Sequence, residues 1–149
     1  MSILETWLAE AESWVGTPYV TEGCTKGFKG GSDCGHWFIK MILAVIPNSE
    51  NVAFVMDISH VQYFKKNVSV VDKVMSPLAF QVTLKEIQPG DVVFLEYRRI
   101  SSQPCIYVGD DHFIYCDTSM REMVKRPLPG NYIERIVHVF RFKCIAEEQ

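Results

Sequence analysis

A chain of 149 residues with 48% apolar residues, 22% charged residues and a formal net charge of −3 has the composition of an ordinary globular domain, and its length suits a single domain over residues 1–149. That balance excludes a broad cationic field, so nucleic acid is not an expected partner; the pairs Lys65-Lys66 and Arg98-Arg99 read as solvated surface. The five cysteines are odd in number and contain no C-x-x-C, which argues against a disulfide framework and a structural zinc site; no metal or organic cofactor is expected.

Ser2-x-x-Glu5 opens the chain as a capping box, and Ile3, Leu4, Trp7, Leu8, Ala11, Trp14 and Val15 follow at helical spacing. The spacing predicts a helix from residue 3 to Trp14, stopped at Gly16. These first residues lack a basic region, and Glu5, Glu10 and Glu12 interrupt any apolar core, so no secretory signal is read and synthesis in the cytoplasm is expected. No apolar stretch approaches the ~18 residues of a membrane-spanning helix. Thr17-Pro18-Tyr19-Val20 reads as extended, because the residue before a proline avoids the helical region.

A glycine-rich stretch, Lys26-Gly27-Phe28-Lys29-Gly30-Gly31, reads as a flexible approach to Ser32-Asp33-Cys34. A second helix is predicted from Ser32 to just before Pro47, with Ser32 or Asp33 as its cap and apolar residues around most of its circumference, as expected of a central helix. Cys34 then lies in the first turn, where the partial positive charge of the helix end favours a thiolate. The competing reading is a small buried cysteine. Residues 47–51 read as a turn, residues 61–66 as helical, and residues 68–71 as either a short strand or a helical turn.

Past residue 83 the pattern changes to strands. They are Val92–Tyr97, then a loop from Arg98 to Gln103, Cys105–Val108, a hairpin at Gly109-Asp110-Asp111, His112–Cys116, Met123–Arg126 and Arg135–Phe142, followed by a polar tail. Cys105 and Cys116 fall on neighbouring strands, either close to one another or simply buried as small residues. Helices first and antiparallel strands second define an α+β fold, with the cysteine-bearing helix packed on a C-terminal sheet.

Four pieces in this order, Trp14-Val15-Gly16-Thr17-Pro18-Tyr19, Ser32-Asp33-Cys34, Gln88-Pro89-Gly90-Asp91-Val92-Val93-Phe94, and Ile106-Tyr107-Val108-Gly109 with Phe113-Ile114-Tyr115, resemble the NlpC/P60 family of papain-like cysteine hydrolases. The glycine-rich lead-in and the ending at residues 136–142 resemble its phage-tail and gene-transfer-agent branch. The resemblance covers roughly residues 5 to 143. It implies a helix-borne cysteine that attacks a peptide bond of the cell-wall stem peptide, a histidine base on the second strand and a polar residue on the next strand to orient it.

Carried over by position, the resemblance places Cys34 on the nucleophile, Asp33 on the preceding acid and Tyr19 on the cleft tyrosine. The base position falls on Gln103, the orienting position on Tyr115, and the small residue two after the cysteine on His36. A glutamine amide cannot accept a proton near neutral pH. No histidine lies between Pro77 and Asp111 to take its place; His36, should it precede the regular helix, and His60 are the candidate substitutes. Two expectations follow from the resemblance. One is a hydrolase fold that has lost its base and serves as a structural or assembly component of a phage tail, alongside tail-tip proteins in an assembled particle. The other is an active cysteine peptidase of peptidoglycan stem peptides with a non-standard base. A thiol-dependent cytosolic protein unrelated to the wall is a third.

Overall fold

The computed structural model of the chain describes residues 1–20, 23–32, 34–54, 68–97 and 101–149; at residues 34, 68–70, 97, 101 and 102 it describes the backbone alone. The first helix, α1 (Ile3–Ser13), is capped as its first residues predict, with the Ser2 hydroxyl accepting the Glu5 amide at 3.1 Å. Its stripe of Trp7 and Ala11, continued by Trp14, is fully buried, and the Trp7 indole donates to the Gly90 carbonyl at 3.1 Å, which ties α1 to the turn before the sheet. Gly16 ends the segment at φ +91°, a conformation that favours glycine.

The glycine-rich approach is a closely packed hairpin rather than a flexible lead. Strands β1 (Cys24–Thr25) and β2 (Gly31–Ser32) pair antiparallel. A Cβ on Gly30 would collide with the Thr25 carbonyl, and one on Gly31 with the Val20 side chain. These two glycines are there because two backbones pass at contact distance, a requirement that composition alone does not separate from mobility.

Helix α2 (Cys34–Val45) buries Trp37, Phe38, Met41 and Ile42 but leaves Lys40, Leu43 and Ala44 exposed. It starts two residues later than its predicted first residue, because Ser32 is committed to β2. The predicted turn over 47–51 is shorter: residues 50–54 are helical, with Ala53 N–H donating to the Ser49 carbonyl at 2.8 Å. The next helix is α3 (Val68–Met75), which settles the open reading of 68–71 as helix. The helix expected at residues 61–66 lies outside the described residues.

Among the described residues, six strands form one antiparallel sheet: β3 (Ala79–Gln81), β4 (Val92–Tyr97), β5 (Ser101–Gly109), β6 (His112–Asp117), β7 (Glu122–Arg126) and β8 (Ile136–Phe142), in the spatial order β3-β8-β4-β5-β6-β7. Strand β5 begins at Ser101, so Gln103 belongs to the sheet, opposite Leu95 of β4, and not to the expected loop. Two short helices, α4 (Gly130–Ile133) and α5 (Lys143–Glu147), flank β8; α5 occupies what the sequence reads as a polar tail.

Each sheet face carries its own cluster. On one, Val92, Phe94, Ile106, Ile114, Cys116 and Phe140 pack with α1 and α2 through edge-to-face aromatic contacts among Trp7, Phe38, Phe94, Phe140 and Phe142. On the other, Val93, Leu95, Cys105, Phe113, Tyr115 and Val139 pack with Leu128, Tyr132 and Ile136. The turn before β4 is pinned by a buried ion pair: Arg141 donates to both carboxylate oxygens of Asp91, at 3.0 and 2.9 Å, and Asp91 also accepts the Gln88 amide. The two ends of the chain meet, with the Ile3 amide donating to the Glu148 carboxylate at 3.0 Å.

Candidate functional site

The start of α2 is positioned by three neighbouring backbones. Tyr19 forms a parallel bridge to Ser32, whose amide donates to the Pro18 carbonyl at 2.9 Å, while the Tyr19 amide donates to the Arg121 carbonyl at 2.8 Å. Pro18 bridges Glu122 at the start of β7. The proline-fixed segment therefore laces β2 to the β6–β7 turn, and β2 delivers the chain to Cys34 at the first helical residue two positions later. Tyr19 and the Cys34 backbone are thus brought to one end of the molecule. Asp33 and the Cys34 side chain lie outside the described residues.

Gln103 and Tyr115 occupy the sheet face opposite the helices. Gln103 lines a small recess with Leu95, Glu96, Tyr132 and Arg135, and the fully buried Tyr115 ring meets Tyr132 edge-on at 6.2 Å, so both flank the same tyrosine. The amide of Gln103 is committed: Nε2 donates to the Cys116 carbonyl of β6 at 2.6 Å. The neighbouring residue supplies the reason. The Tyr107 amide points to β4, where it meets the Asp91 carbonyl at 2.9 Å, so strand alternation turns the backbone of residues 106 and 104 towards β6. Ile106 pairs Ile114 there, and Pro104, two residues before it, has no N–H to give to β6. The Gln103 side chain donates to the Cys116 carbonyl beyond that pair.

Tyr115 belongs to a polar cluster at the same sheet end. Arg126 Nε donates to the Tyr115 hydroxyl at 2.9 Å, and its guanidinium pairs with the buried Asp117 carboxylate. Asp117 also accepts the Ser119 hydroxyl at 2.6 Å and the amides of Ser119 and Met120 at 2.8 and 3.1 Å. Burial opposes ionisation of Asp117, but these hydrogen bonds and the Arg126 charge outweigh it and hold the carboxyl below its ordinary range. Burial pushes the Tyr115 phenol up, against the pull of Arg126, so it stays neutral. Neither Gln103 nor Tyr115 is able to take a proton from a thiol near neutral pH.

Three histidines lie among the described residues. His36 lies within regular α2, not before it, and two helical residues set it about 200° round from Cys34. His112 Nδ1 lies 2.7 Å from the Asp110 carbonyl and His138 Nδ1 lies 3.1 Å from Gln81 Oε1. His60 lies outside the described residues. Cys105 and Cys116 face opposite sides of the sheet, one in each cluster, which favours the reading of two buried small residues. Among the described residues no group of three His, Cys, Asp or Glu side chains could hold a metal ion, and no helix is long and apolar enough to cross a membrane. Sequence reasoning passes over Pro104, Asp117 and Arg126. Asp117-Thr118-Ser119 carries an Asx-turn signal for the second of these, and the adjacency of Gln103 and Pro104 is the signal for the first.

Helices packed on one face of an antiparallel sheet, with Cys34 opening α2, define a mixed α+β class of fold. More narrowly, the chain has the NlpC/P60 fold. It superposes on an NlpC/P60 family protein from Bacillus cereus with a TM-score of 0.64 and 19% identity, over 93% of this chain and 40% of that one. It superposes on the peptidoglycan hydrolase RipB of Mycobacterium tuberculosis with a TM-score of 0.60 and 17% identity, over 93% of this chain and 64% of that one. The chain thus spans less than two thirds of the length of either protein. A third likeness is to RipD of Mycobacterium tuberculosis, described as a non-catalytic NlpC/p60 domain protein adapted to peptidoglycan binding, with a TM-score of 0.57 and 14% identity over 95% of this chain and 98% of that one. No family model and no curated protein matches the sequence.

Proposed function

We propose that this chain is an NlpC/P60-type domain without hydrolytic turnover, kept as a structural or assembly component of a phage tail or tail-like particle. The observation that carries the first half is the Gln103 amide, held on the Cys116 carbonyl at 2.6 Å where the resemblance calls for a general base. Loss of one member of a catalytic unit costs orders of magnitude in rate. RipD supports the reading as an example of the fold in a protein described as non-catalytic. The tail role rests on the resemblance of the glycine-rich lead-in and the 136–142 ending to the phage-tail branch. Stem peptides of peptidoglycan are the ligand class that the resemblance implies for Tyr19 and the start of α2.

The reading of an active peptidase needs a base from outside the expected strand position. Were one present, the Cys34 thiolate would attack the amide carbon, an N–H at the helix start would hold the oxyanion, and water would release the acyl-enzyme. The experiment is digestion of purified muropeptides by the wild-type chain and by Cys34→Ala. We expect no released peptide from either; cleavage by the wild type that Cys34→Ala abolishes overturns the proposal. Co-purification with tail-tip proteins tests the assembly role, and its absence from purified particles removes that half.

A further inference from the structure

Strands β1 and β2 pair over two residues each, too short a ladder to hold a hairpin by itself. What holds this one lies outside it, at the end of α1. Lys26, just past β1, places its ammonium 3.0 Å from the Glu10 carboxylate and 5.5 Å from the centroid of the buried Trp14 ring. Glu10 and Trp14, four residues apart, thus present an anion and an aromatic face to one cation. Two further contacts flank this one. The Gly27 amide donates to the buried Thr17 hydroxyl at 2.9 Å, and the Phe28 ring rests against Gly16. At its other end the hairpin is bonded to the segment that follows α1. The Ser32 amide donates to the Pro18 carbonyl at 2.9 Å and the Val20 amide to the Ser32 carbonyl at 3.1 Å. Two residues later Cys34 opens α2.

We propose that Lys26 is a positioning residue for the start of α2. The hairpin is a strap, latched near its tip on α1 and carrying the first residue of α2 at its other end. While Lys26 is latched, Ser32 is held against Pro18 and Tyr19. Unlatched, the strap keeps a two-residue ladder and the bonds at Ser32, and the first residue of α2 loses its fixed place relative to Tyr19. The latch needs a cation, because both of its partners recognise charge. Arginine at 26 keeps that charge for the carboxylate and for the ring, whereas methionine keeps the stem and loses both. Lys29, the other cation of the strap, is exposed and takes no ion pair among the described residues. The latch serves the site whether or not the chain cleaves peptides.

The test is native-state amide hydrogen exchange of the full chain, read residue by residue by NMR, which reports local opening separately from global unfolding. The Ser32 and Val20 amides report the strap. The Tyr107 and Val82 amides, bonded to the Asp91 and Val139 carbonyls, report the sheet. Lys26→Met is expected to speed exchange at Ser32 and Val20 about tenfold and to leave Tyr107 and Val82 within about twofold. Lys26→Arg is expected to return Ser32 and Val20 to the wild-type rate, and Lys29→Met to leave them unchanged. Exchange at Ser32 and Val20 that Lys26→Met does not move overturns the proposal. So does a rise shared equally by Tyr107 and Val82, which is a loss of global stability, an equal rise in Lys29→Met, or a failure of Lys26→Arg to restore the rate.

Discussion

The two faces of the sheet are built on different physics. The face under α1 and α2 is an apolar, largely aromatic interior in which Trp7, Trp37, Phe38, Phe94 and Phe140 are all 1% exposed or less. The opposite face is apolar at its centre but ends in polar groups held at short range: Gln103 on the Cys116 carbonyl, and Arg126 between Tyr115 and Asp117. Volume and shape decide the first, and a change there is felt through lost contact area. Donor-acceptor accounting decides the second, and a change there is felt through what is left unpaired. The base and orienting positions that the family resemblance implies, Gln103 and Tyr115, fall on the second face, where their hydrogen bonds are already spent on structure, whereas Cys34 opens the helix that covers the first.

Trp7→Ala should produce the largest effect. It removes a fully buried indole that meets Phe142 at 4.9 Å and Phe38 at 6.4 Å, and urea unfolding should show a loss of about 3–5 kcal/mol. Asp117→Asn should come next on the polar face, at about 2 kcal/mol, below the cost of breaking a fully buried pair because the Arg126 side chain is 36% exposed. This second effect should depend on pH. The Asp117 carboxyl is held low in the folded state, so its stabilisation is complete above the unfolded value of about 3.9 and is lost as pH falls through the folded one. The gap between wild type and Asp117→Asn should therefore close on acidification below about pH 4, whereas the Trp7→Ala deficit should persist. A gap constant from neutral to acid pH would remove the distinction between the faces.

The smallest effect is also the sharpest. Gln103→Met leaves the Cys116 carbonyl without its side-chain donor, at about 1 kcal/mol. Pro104→Val gives residue 104 an amide at the position facing that carbonyl. In a double-mutant cycle Pro104→Val should be worth more in the Gln103→Met background than in the wild type. Strict additivity would mean that the glutamine and the proline are unrelated. The same cycle bears on catalysis, because a histidine at 103 has a free ring only when residue 104 serves the carbonyl. Gln103→His/Pro104→Val is thus the pair to carry into the muropeptide assay.

Much of the apolar face is legible along the chain. The stripe of Trp7, Ala11 and Trp14 marks α1, and short apolar runs bounded by turn residues mark β4 and β6, which are buried on both faces of the sheet. Less of the polar face is legible, because its partners are distant in sequence. Pro104 reads as a strand breaker until Gln103 is seen to donate beside it, which is why β5 starts at Ser101 and not at Cys105. Gly30 and Gly31 read as slack until Thr25 and Val20 are seen against them. The place of Cys34 at a helix start is plain in the sequence. The bonds held by its expected partners on the sheet become visible only once β5 and β6 lie side by side.

The clasp between the Ile3 amide and the Glu148 carboxylate has a topological consequence. Ile3 and Glu148 lie side by side, so both flanks of the fold are held at one place. Joining the ends with a short linker and reopening the chain at the turn Gly109-Asp110-Asp111, where two successive aspartates already bear the turn at φ 52° and 61°, should give a permuted protein with the same strand order. In that circular sense the hairpin, and not the terminus, is the natural place to cut this fold.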